Sequence, residues 1–235
     1  MTYHMIEPRF TELNENEILL YLGYRGQEIT VQVERQIEEC AGQVRAYARP
    51  RLVYRRLPVR RGVIEGLPVD SRDIEQLLTP CREAVLLAVT LGPDMERHLM
   101  RSEVVNMSEA VILDACASVA VENVCDRFEE DLREELERKE GLFLTSRCSP
   151  GYGDFPITSQ AKLCEVLDTV RRIGLTVSDR HIMVPRKSVT AVMGIAEKPQ
   201  ELRTRGCEVC SMFRTCPYRK NGTDCKYIGR SRSII

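Results

Sequence analysis

Residues 106–139 read as one long helix, and no other stretch constrains the fold as strongly. Its first half, AVILDACASVAVENVC (110–125), is apolar nearly all round. Its second half, DRFEEDLREELERKE (126–140), is densely charged. A helix of this kind buries one end in the core and runs the other along a solvated face. Gly141 is placed to stop it.

The apolar half carries a polar row. Asp114, Ser118 and Glu122 are spaced by four, so they share one face. Burying carboxylates is costly unless they are paired or border a polar cavity. The row therefore marks either a helix that lines a binding site or a buried structural network with one of the arginines.

The rest of the chain reads as mixed α and β. Residues 14–22 and 27–46 are predicted helices, the second with a buried stripe of Ile29, Val31, Val33, Ile37, Cys40 and Val44. Residues 51–60 alternate imperfectly as a strand, and 70–78 form a short helix with Asp70 or Ser71 as N-cap. The continuous apolar run 83–91 is a buried strand, and Gly92-Pro93-Asp94 ends it and starts a helix over 93–101. A further helix spans 158–173, ended by Gly174, and short strands fill 175–196. The arginines at 49, 51, 55, 56, 60 and 61 suit either phosphate or an acidic partner, or a solvated strand face, and the second reading is preferred. A net charge of −1 gives no general pull toward nucleic acid or anionic membrane. With no apolar run long enough to span a bilayer and no secretory core at the N-terminus, a cytoplasmic protein is expected. Its ten cysteines are then reduced or metal-bound.

Two segments carry candidate chemistry. Residues 147–156, Arg-Cys-Ser-Pro-Gly-Tyr-Gly-Asp-Phe-Pro, are too rich in glycine and proline for a helix interior or a central strand. They form a shaped loop with a guanidinium at its entrance and an aromatic ring in its middle. Such a loop suits a small molecule with a carboxylate and a flat ring, or it is an ordinary surface turn. The tail holds Cys207, Cys210, Cys216 and Cys225, a C-x2-C-x5-C-x8-C pattern that favours zinc or an iron–sulfur cluster over disulfides. Residues 1–199 are expected to form the main domain and 200–235 the Cys-rich metal-binding tail.

The segment Arg147-x-Ser149-Pro150-Gly151-Tyr152 resembles the S-adenosylmethionine-binding loop of the activation domain of cobalamin-dependent methionine synthase. Ile173-Gly174-Leu175-Thr176, Met183-x-Pro185 and Ser188-Val189-Thr190 follow in the order of that family's closing strands, and the helix with Glu122 precedes the loop as the family's ligand-facing helix does. The match covers roughly residues 80–197, while the first 80 align loosely. The resemblance implies an α+β fold: a twisted antiparallel sheet with flanking helices and a C-shaped outline. It implies S-adenosylmethionine binding by Glu122, Arg147, Ser149, Gly151 and Tyr152, with Tyr152 between ligand and corrin in the catalytic position. Asp114, Ser118 and Asp154 are possible lining residues. It implies that a partner carries cobalamin, that a donor such as flavodoxin or ferredoxin supplies one electron, and that cob(II)alamin is returned to methylcobalamin.

The chain has no room for cobalamin, homocysteine or folate modules, so a free-standing activation subunit for methionine synthase is expected, active with its corrinoid partner. The family's N-terminal aspartate and its late tyrosine have no counterpart here. Alternatives are an activator of another corrinoid methyltransferase and a non-catalytic metal-binding adaptor built around the tail.

Overall fold

The computed structural model describes residues 3–8, 12–24 and 27–200. In chain order its elements are β1 (His4–Ile6), α1 (Glu15–Tyr21), α2 (Val31–Tyr47), β2 (Arg51–Arg60), β3 (Val63–Ile64), α3 (Arg72–Leu78), β4 (Cys81–Thr90), α4 (Pro93–Val105), α5 (Met107–Glu140), β5 (Phe143–Leu144), α6 (Ser159–Leu167), α7 (Thr169–Ile173), β6 (Thr176–Val177), β7 (Met183–Val184) and β8 (Ser188–Ala196).

The apolar run that predicts a buried strand is β4, and it is covered on both faces. Val85, Leu87 and Val89 pack into a core shared with α1, α2, α4 and α5. The alternate residues Ala84, Leu86 and Ala88 pack into a second core with α3, α6 and α7. Two apolar faces explain why the run shows no alternation. Each fully buried side chain of Val or Leu size contributes about 1.5–3 kcal/mol. β4 pairs antiparallel with β2 on one side and β8 on the other. The sheet order is β1-β2-β4-β8-β5, with β3 paired to β2, and β6–β7 form a separate two-stranded ribbon. The sheet is a curled antiparallel half-barrel with flanking helices, the α+β class expected. Among the described residues no helix is long and apolar enough to cross a membrane.

The long helix is α5. Asn106 caps it, accepting from the Glu109 amide, and Gly141 ends it in the left-handed conformation. Its face is apolar where it crosses the sheet: Leu113, Cys116, Ala117 and Ala120 are fully buried.

Three expectations need correction. The helix predicted from residue 27 starts at Val31, because Thr30 accepts from the Val33 amide as N-cap. Ile29 therefore precedes the helix and Val31 is exposed, whereas Ile37, Cys40 and Val44 are buried as expected. The helix predicted over 158–173 is two helices, since Asp168 adopts a left-handed φ of 52° between them. The arginine strand is not wholly solvated. Arg55 is buried, donates to the Val166 carbonyl at the end of α6 and lies over the Tyr3 ring. That carbonyl is at a helix C-terminus, where a cation is favoured. Its neighbour Arg56 pairs with Glu83 and Glu140.

Candidate functional site

The 147–156 loop hangs on β8. Cys148 and Val192 exchange both backbone hydrogen bonds, at 2.9 and 2.8 Å. This places Arg147 beside α5. Inside the loop, the Gly151 amide donates to the Phe155 carbonyl and the Tyr152 amide to the Ser149 carbonyl. Phe155 is buried and anchors the turn, which leaves Tyr152 72% exposed at its tip. Gly151 and Gly153 both have positive φ, at 91° and 58°, and a Cβ on Gly153 would collide with the Asp73 carboxylate. Positive φ favours glycine at both positions, and a Cβ at the second would also push aside the Asp73 carboxylate, which accepts from the Asp154 amide.

Arg147 is the centre of the arrangement. Its side chain is only 4% exposed. One terminal nitrogen, Nη2, donates to Glu122 at 2.9 Å and to Asp126 at 2.8 Å. The other, Nη1, lies 3.6 Å from Glu129 and is buried without a hydrogen-bond partner. Glu129 is also held by Arg133, at 2.8 Å. The loop arginine and the carboxylate row are therefore joined, and Arg147 bonds directly to Glu122. Cys125, fully buried beside this cluster, has its thiol pKa pushed up, chiefly by burial.

The upstream part of the row meets a different cation. Lys187, at the turn before β8, donates to Asp114 and to Ser118, each at 2.8 Å. Ser118 in turn donates to the Asp114 carbonyl. Arg186 beside it bonds Glu96 and Glu103 of α4, so the whole turn is strapped to two helices. Asp114 also lines a cavity of about 240 Å3 with Tyr21, Glu103, Met107, Ala110, Val111 and Ala115. A second, of about 430 Å3, includes Thr145 and Ser146, the two residues before Arg147. Arg147 and Tyr152 line neither.

Asp154 is turned to the other side of the loop. It accepts from the Ser71 hydroxyl and from the amides of Arg72 and Asp73, so it caps the first turn of α3. The Ser71 hydroxyl, with those amides, holds its carboxyl below the usual range against the opposing effect of desolvation. The sequence reading missed Asp126, Glu129 and Lys187. The signal for Asp126 was present, since 114, 118, 122 and 126 continue one spacing of four. Among the described residues no group of three or more His, Cys, Asp or Glu is arranged to hold a metal ion. Cys207, Cys210, Cys216 and Cys225 lie outside the described residues.

No family model matches the chain, and no curated protein matches it. Among solved structures, the crystal structure of the MetH reactivation domain bound to AdoHcy superposes with a TM-score of 0.66. The match covers 97% of this chain and 88% of that one, at 15% sequence identity. The chain has the fold of that reactivation domain. The resemblance drawn from the loop, the helix and the closing strands and the likeness drawn from the whole backbone point to one architecture.

Proposed function

We propose that this chain is a reactivation subunit that binds S-adenosylmethionine and presents it to a corrinoid protein, with cobalamin-dependent methionine synthase as the partner. The observation that carries the reading is the contact between Arg147 and Glu122, which brings the loop and the helix row together on a backbone with the reactivation-domain fold. An amino-acid head-group is a zwitterion. Its carboxylate matches Arg147 and its ammonium matches Glu122, so the ligand exchanges their mutual ion pair for two new ones. The unpartnered Nη1 of Arg147 offers a further donor in the same place.

The Ser149 hydroxyl and the Gly151 carbonyl remain for the nucleoside, since the Gly151 amide is engaged within the loop. Tyr152, exposed at the loop tip, is placed to lie between ligand and corrin. Asp114 and Ser118, held by Lys187, flank the site, while Asp154 supports it through α3. A donor such as flavodoxin or ferredoxin supplies one electron to cob(II)alamin on the partner. The methyl group then passes from sulfonium to cobalt and S-adenosylhomocysteine leaves. The protein's part is orientation and exclusion of water.

Calorimetry tests this. Wild-type protein binds S-adenosylmethionine, alone or with a corrinoid protein, and Arg147→Ala weakens binding by about 1.5–3 kcal/mol, the worth of hydrogen bonds to a charged group. No binding in either setting removes the reading, and an unchanged affinity removes Arg147 from the site.

The tail reading is a separate element. Four thiolates at 207, 210, 216 and 225 would hold zinc as a docking clip or an iron–sulfur cluster as an electron relay. Anaerobically purified protein is coloured and contains iron in the second case. Colourless, iron-free protein rules the relay out.

A further inference from the structure

The Arg147 end of the site holds more negative than positive charge. Glu122 and Asp126 both bond the same terminal nitrogen of Arg147, and Glu129 beside them is held by Arg133. Two carboxylates thus share one guanidinium. Cys125 does not alter the balance, because burial keeps its thiol protonated. Upstream, Asp114 is matched by Lys187 and adds no excess.

We propose that this surplus negative charge makes the site select the sulfonium form of its ligand over the thioether, S-adenosylmethionine over S-adenosylhomocysteine, with Asp126 as the specificity-determining residue. The inference rests on the S-adenosylmethionine reading of the same site. A zwitterionic head-group entering between Arg147 and Glu122 leaves the local charge balance as it was. The sulfonium is three bonds from the α-carbon, roughly 4 Å away, and it is the one charge that distinguishes the two ligands. Once the methyl group has left, the neutral thioether no longer feels the surplus. The field that recruits the substrate therefore does not retain the product.

Asp126 is the carboxylate that supplies it. In the proposed complex Glu122 turns to the ligand ammonium, and Glu129 is already paired with Arg133. Asp126 contacts Arg147 through one oxygen and its side chain is 60% exposed, so its charge is open to a ligand rather than enclosed by other side chains. A unit charge about 6 Å from another changes affinity about threefold in a water-like medium and up to about a hundredfold at an effective permittivity near 20. The exposure of Asp126 places its effect near the lower end.

The test is calorimetric measurement of both ligands on the full chain. Wild-type protein is expected to bind S-adenosylmethionine more tightly than S-adenosylhomocysteine. Asp126→Asn is expected to narrow that ratio by about three- to tenfold, mainly by weakening S-adenosylmethionine. Asp126→Glu keeps the charge and should keep the ratio. Glu137→Gln, about 16 Å further along α5, should change it less than about twofold because solvent ions screen it. Equal weakening of both ligands, an unchanged ratio in Asp126→Asn, or a ratio lost in Asp126→Glu overturns the inference and leaves the proposed site standing. If wild-type protein binds neither ligand, the site reading and the inference fall together.

Discussion

The polar face of α5 meets its cations differently at its two ends. Upstream, Lys187 answers one carboxylate, Asp114, and also donates to the Ser118 hydroxyl. One cation meets one carboxylate. Downstream, Arg147 is more deeply buried, with a side chain 4% exposed against 14% for Lys187, yet it faces three carboxylates and keeps one nitrogen without a hydrogen bond. The helix repeats the same four-residue spacing through both ends, so spacing does not create the difference. The difference comes from what β8 brings to the helix. Lys187 enters at its start as a flexible stem with a point charge, whereas the loop paired to Val192 brings a planar fork. A balanced pair is a structural tie. An unbalanced fork with an unused donor is the arrangement a ligand can complete.

The same substitution at each end separates these descriptions. Arg147→Met has the larger expected effect. It keeps the stem's apolar contact but removes the charge that holds Glu122, Asp126 and Glu129 together. Breaking a buried pair by removing one partner costs about 3–5 kcal/mol, and the partial exposure of Glu122 and Asp126 reduces this, so a loss of roughly 2–3 kcal/mol is expected. Urea unfolding should show a lower midpoint at an unchanged slope. Added salt should recover part of the loss by screening the three carboxylates. A change within about 0.5 kcal/mol would mean that the arginine is not the electrostatic keystone of this end.

How much of this was legible in the sequence differs by element. α5 was readable because its apolar and charged halves are long and distinct. β4 was readable because a continuous apolar run bounded by Gly92-Pro93 has few other uses. The loop was readable because Gly151 and Gly153 sit where the backbone needs positive φ. Partnerships across the fold were not readable. Asp126 and Glu129 open the charged half of α5, so in sequence they look like part of a solvated face. They become site neighbours only because Cys148 pairs with Val192 and sets Arg147 against them. Lys187 looked like part of a connecting turn, and its reach to Asp114 depends on how β8 crosses the helix. Asp154 looked like a lining residue, although its oxygens are taken by the first turn of α3, a helix more than 70 residues earlier. Arg55 failed in the same way. Its place in the strand suggested solvent, and its partners Tyr3 and Val166 lie 52 and 111 residues away along the chain, on opposite sides of it in sequence.

Lys187→Met has the smaller expected effect. Its partner Asp114 is half-exposed, and an accessible carboxylate that loses its cation is rehydrated at little cost. A loss of about 0.5–1 kcal/mol is expected, in the range of exposed and half-exposed ion pairs. The effect on ligand choice is more telling than the effect on stability. Freed of Lys187, Asp114 becomes a second unmatched carboxylate on the face, so any change in the preference for sulfonium over thioether should be an increase. Asp114 lies eight residues before Glu122, about 12 Å along the helix axis. That distance exceeds the Debye length of about 8 Å at physiological salt, so the increase should stay under about twofold there and grow as salt is lowered. A large loss of S-adenosylmethionine affinity in Lys187→Met would show instead that Lys187 touches the ligand. The ion-paired end of the row would then belong to the binding surface rather than to the scaffold.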